Sequence, residues 1–153
     1  MKEKENETGT TSQKVLRISL RQILFLVDEI EKVFPVEACA LLFGRVAEKE
    51  IVLEKVVPTP NILNSADEFK FDGEEVGAAL NEIEPKLIGF FHSDSCRYLP
   101  FGGDIEYMKL WVDYVWLILS TVKWGGVGAF SINKNGQLET WTIYIYKEES
   151  QSL

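Results

Sequence analysis

The 153 residues are 46% hydrophobic and 12% aromatic, ample for one domain with its own core and short for two. Twenty-four acidic against 16 basic residues give a formal charge of -8, which argues against nucleic acid as a partner, since a grip on phosphates is made of Lys and Arg. Two cysteines, Cys39 and Cys96, are too few for a disulfide framework, and no apolar run reaches the roughly 20 residues of a membrane span. The expectation is a cytoplasmic protein with no membrane partner.

Residues 1–13 are polar, mixed in charge and lack the apolar core of a signal peptide, so they read as a flexible N-terminal tail ahead of a single domain over 14–149. Order should begin near Val15. From Ser19 to Val33, Leu20, Ile23, Leu24, Val27 and Ile30 recur at helical spacing, with Ser19 as N-cap and Pro35 as the stop. Glu37 to Gly44 is too uniformly apolar for a half-exposed strand and should lie centrally in a sheet, with Cys39 as a small buried hydrophobe. Ile51 to Val57 follows a polar turn and predicts an antiparallel hairpin with it. Pro58 and Pro60 should open a loop through Asn64, and Phe69-Lys-Phe71 has the alternation of a short strand. Asp72 to Ile83 reads as a second helix capped by Asp72 and stopped by Pro85.

The strand Lys86 to Asp94 delivers the chain's only histidine, His92, to its end. A third helix is expected over about Asp104 to Trp111, flanked by Gly102-Gly103, and then a strand over Tyr114 to Ser120. Val127 to Ile132, the turn Asn133-Lys-Asn-Gly136 and the alternating Glu139 to Tyr146 predict a closing hairpin. The four tryptophans, Trp111, Trp116, Trp124 and Trp141, read as packing residues. The sum is an α/β fold, a single-domain mixed sheet flanked by helices.

An imidazole two residues ahead of a carboxylate, where a strand gives way to a loop, is a place to build a metal or proton-transfer site. Asp94 beside His92, Asp104 at a helix start and Glu37 ahead of a central strand supply the carboxylates. Each also has a plainer reading: a histidine bonded to a backbone carbonyl, an acid favoured by a helix dipole, a charge at a strand edge. Cys96 lacks a second histidine to pair with as a thiol nucleophile.

Pro35-Val-Glu37 leading into Ala40-Leu-Leu-Phe-Gly44, Gly89-Phe-Phe-His-Ser-Asp94, and Pro100-Phe-Gly-Gly-Asp104 stand in an order and spacing that resembles the JAMM or MPN domain of metal-dependent, deubiquitinase-like peptidases. The likeness extends through Val56-Val-Pro-Thr-Pro-Asn61 and the closing hairpin, over nearly all of residues 16–147. It implies an MPN (cytidine-deaminase-like) architecture, His92 and Asp104 as zinc ligands, and Glu37 as the general base that activates the attacking water. The implied reaction is hydrolysis of an amide or isopeptide bond in a conjugate of a ubiquitin-like modifier, with that modifier or another protein as partner.

Three positions depart from the family pattern: Asp94 stands at the second histidine ligand, Ser95 at the following proline, and Phe101 at a serine that helps stabilise the tetrahedral intermediate. The metal set expected here is therefore His92, Asp94 and Asp104, with Ser93, Ser95 and Cys96 as auxiliary candidates. One imidazole and two carboxylates would leave a bound zinc formally neutral, a weaker Lewis acid, and would shift preference towards harder divalent ions. Weakened activity is expected; the alternative is a catalytically inactive scaffold or protein-binding module that holds no metal.

Overall fold

In the computed structural model, which describes residues 13–95, 99–100, 102–122 and 126–148, Val15–Ser19 forms a strand, β1, that decides the architecture. It is followed by β2 (Cys39–Ala47), β3 (Glu50–Thr59), β4 (Lys86–Asp94), β5 (Val115–Ser120), β6 (Val127–Ile132) and β7 (Leu138–Tyr146). The strands run β1-β3-β2-β4-β5-β6-β7 around a closed barrel, because β1 pairs in parallel with β3 on one side and β7 on the other. The expected sheet flanked by helices is thus corrected to a mixed barrel closed on itself. Its described helices are three: α1 (Leu20–Val33), α2 (Gly73–Leu80) and α3 (Gly102–Met108). Closure satisfies both edges of β1 and leaves Leu16 and Ile18 fully buried.

Both hairpins form as read, β2 against β3 and β6 against β7. Pro58 lies within β3 opposite Ala40, so the loop begins later than expected. Residues 69–71 form no strand, and the third helix spans Gly102–Met108 with the glycine pair inside it. The expected tail falls largely outside the described residues, as do Cys96, Phe101 and Trp124. None of the described helices is long and apolar enough to cross a membrane.

Helix α1 starts from a reciprocal capping box: Ser19 Oγ accepts from Gln22 N at 3.1 Å while Gln22 Oε1 accepts from Ser19 N at 2.9 Å. Its Leu26 and Ile30 join a buried cluster with Leu16, Ile18, Ala40, Leu42, Phe91 and Leu117. Alternate residues of the same strands, Cys39, Leu41, Phe43, Phe90, Trp116 and Ile118, form a second cluster with Val76 and Ala79 of α2 and Met108 of α3. Two apolar layers on opposite faces explain why β2 and β4 read as continuous apolar runs. Cys39 sits in the second layer, and burial pushes its thiol up to about 12, which disfavours the thiolate that a nucleophile needs at neutral pH.

Candidate active site

Strand β4 pairs antiparallel with β2 and parallel with β5, so it is held on both sides, and Cys39 is the β2 partner of His92. The segment entering β2 is latched to the end of β4 by two bonds: Ala38 N donates to Ser93 Oγ at 2.8 Å, and Ser93 N to Ala38 O at 3.0 Å. That latch puts Glu37 beside His92, with Glu37 Oε1 3.7 Å from His92 Nδ1. Ser93, an auxiliary candidate, thus holds backbone in place.

His92 is only 1% exposed. Its Nδ1 lies 3.0 Å from the Ser93 carbonyl oxygen, which can only accept, so Nδ1 carries the proton and Nε2 presents a lone pair. Nε2 is buried without a hydrogen-bond partner and faces Asp104 Oδ2 at 3.9 Å. Desolvation pushes the imidazole down to about 4, so the ring is neutral at pH 7. Glu37 is 5% exposed; desolvation first, then the charges of Asp94 and Asp104, push its carboxyl up to about 8. A carboxyl poised near working pH suits a proton acceptor.

Asp94 ends β4, and Asp104 lies in the first turn of α3. Both line a cleft of about 360 Å³ with Asp67, Glu68, Phe69 and Tyr107. The fold therefore brings Glu37, His92 and Asp104 into one contact group, with Asp94 on the wall of the adjoining cleft. Ser95 is exposed, and Cys96 lies outside the described residues.

Among the described residues, no three His, Cys, Asp or Glu side chains already close on one point as a bound ion would require. The His92–Asp104 pair nevertheless fits a divalent cation. A buried lone pair facing a carboxylate oxygen at 3.9 Å is too distant to share a hydrogen bond, yet within the span of two ligands each about 2.0–2.2 Å from a zinc ion.

Three residues of this site have roles that motif reasoning does not assign, although Asn61 ends one of the blocks that carry the resemblance. Phe69 stacks on the His92 ring, Tyr107 stacks on Phe69, and Asn61 ties the loop that carries Phe69. The alternation of Phe69-Lys-Phe71 is the trace they leave in the sequence, where it reads as a strand.

No protein-family model matches the chain. A desampylase from Pyrococcus furiosus is 36% identical over 128 residues, which cover 81% of this chain and 76% of that protein. The chain belongs to the JAMM/MPN-like family. The solution structure of a protein from Desulfitobacterium hafniense superposes with a TM-score of 0.72 at 25% identity, covering 87% of this chain and 94% of that one. The fold is therefore shared with a solved structure over most of both chains.

Proposed function

We propose that this chain is a JAMM-type metal-dependent hydrolase that cleaves an amide or isopeptide bond in a conjugate of a ubiquitin-like modifier. The observation that carries the reading is the lone pair of His92 Nε2, buried, unpartnered and aimed at the Asp104 carboxylate beside Glu37. Burial of an unsatisfied imidazole nitrogen is costly, and a cation between the two acceptors removes the cost. Kinship with a desampylase supports a protein modifier as substrate.

His92 and Asp104 would hold the ion, with Asp94 as the third ligand. Bound there, zinc or another divalent ion would polarise the scissile carbonyl and acidify a water. A cation held beside it would favour the ionised form of Glu37 over the protonated form of the metal-free chain, and that carboxylate would take the proton of the attacking water and pass it to the leaving amine. The Ser93 latch keeps that carboxyl beside the imidazole, and the apolar second cluster keeps bulk water from the pair. Asp94 makes the donor set oxygen-rich and electron-donating, so turnover is slow, and Asp94→His is expected to raise the rate of conjugate cleavage.

Metal analysis tests the reading. Protein purified without chelator is expected to bind zinc stoichiometrically by titration calorimetry, and His92→Ala to lose that binding. Absence of binding in the wild type, or equal binding by His92→Ala, would overturn it.

A further inference from the structure

The loop between β3 and α2 has no helix or strand of its own across residues 61–70, yet it supplies the surface on which the His92 ring rests. Phe69 and His92 are nearly parallel, with ring centroids 4.1 Å apart at 19°. Tyr107 of α3 continues the stack on Phe69 at 5.2 Å and 25°, and Trp116 meets the imidazole at a steep 68°. Rotation about the Cβ–Cγ bond turns the imidazole and sweeps Nε2 through space, and a flat ring against its face blocks that sweep.

The loop owes its shape to one side chain. Asn61 Oδ1 accepts from Leu63 N and from Lys70 N, each at 3.1 Å, while Asn61 Nδ2 donates to Glu68 O at 2.8 Å. The residues on both sides of Phe69 are thus bonded to the same amide. At longer range Nδ2 also reaches the carbonyls of Glu37, at 3.3 Å, and Ser65, at 3.4 Å, and Glu37 N donates to Ser65 O at 2.9 Å. Glu37 and Phe69, which approach His92 from different sides, are therefore fastened to one knot.

We propose that Asn61 and Phe69 are positioning residues for His92: Asn61 fixes the loop so that the Phe69 ring lies flat on the imidazole and keeps Nε2 turned towards Asp104. Its consequence for metal affinity rests on the function proposed above, but the ring's orientation is a property of the metal-free chain. Aspartate at 61 would keep the two acceptor bonds and lose the donors, whereas alanine removes the whole knot.

Because His92 is the only histidine, nitrogen-15 NMR of the metal-free full chain reads its two ring nitrogens without ambiguity. Wild type is expected to show a single tautomer with the proton on Nδ1. Phe69→Leu, which keeps apolar bulk but no flat face, and Asn61→Ala are each expected to give averaged tautomers, and Phe69→Tyr to restore the single one. Zinc affinity should fall about 10- to 100-fold in the first two variants and recover in the third, as expected when a group orienting a ligand is lost. Wild-type tautomer signals in Phe69→Leu or Asn61→Ala, folded by their amide spectra, would overturn the proposal; if one variant does not fold, the other decides. Failure of zinc to bind the wild type would remove the metal reading and leave the tautomer comparison standing.

Discussion

Glu37→Gln is expected to reduce conjugate cleavage by about 10²- to 10⁴-fold, the usual worth of a positioned general base, while making the metal-free protein more stable at neutral pH. The stability gain follows from burial. In the folded chain the Glu37 carboxyl is raised from 4.5 to about 8, first by desolvation and then by the neighbouring Asp94 and Asp104. Below pH 4.5 both folded and unfolded chains hold the proton and Glu37 costs nothing. As pH rises from there, the unfolded chain releases the proton and the folded one keeps it, so stability falls by about 1.4 kcal/mol per pH unit until the folded group also ionises near 8. At pH 7 the penalty is on the order of a few kcal/mol, and glutamine, of the same shape and without charge, removes it. Thermal unfolding of chelator-treated protein should show the variant above wild type at pH 7 and level with it at pH 4. Equal melting temperatures at both pH values, or retained turnover, would contradict this account. Loss of activity joined to a gain in stability marks a group kept for chemistry at the expense of the fold.

Three residues of the candidate site stand out in the sequence because each belongs to a short local block. His92 ends an apolar run, Glu37 precedes another, Asp104 opens a helix, and the structure brings these three together. Barrel closure was not legible, for a physical reason. Strand β1 is five residues long, follows a long polar stretch, and finds its partners about 35 and 127 residues downstream, at Glu50 and Thr142 opposite Val15. Alternation in Val15-Leu-Arg-Ile-Ser19 is too brief to separate a strand from the lead-in to α1. Phe69 was misread for a related cause: alternation usually reflects a pleated strand, but here it reflects a loop whose two phenylalanines pack into the aromatic layer with Tyr107 and Trp116. Asn61 closes the block Val56-Val-Pro-Thr-Pro-Asn61, but an uncharged loop asparagine carries no sign of its role until its five hydrogen-bond partners are in view.

Gly89→Ala is expected to abolish folding, and it tests the strand register on which the site depends. Gly89 lies three residues before His92, opposite Leu42 of β2 and Val115 of β5. A methyl group there would stand 2.0 Å from the Val115 carbonyl oxygen and 2.6 Å from Val115 Cγ1. The first of these is backbone, so no rotamer change relieves it; β4 and β5 would have to separate. β4 cannot yield in the other direction either, because β2 pairs with it from Cys39 to Gly44. The cost should exceed about 4 kcal/mol, the range reserved for a broken core or forced backbone. Gly77→Ala is the matching control: it sits inside α2, a methyl there meets nothing within 4 Å, and replacing glycine in a helix should stabilise by up to about 1 kcal/mol. A Gly89→Ala protein with wild-type melting temperature would show that β4 and β5 tolerate a wider spacing. In that case the contact between His92 and Asp104, which hang from β4 and from the helix leading into β5, could not depend on that spacing.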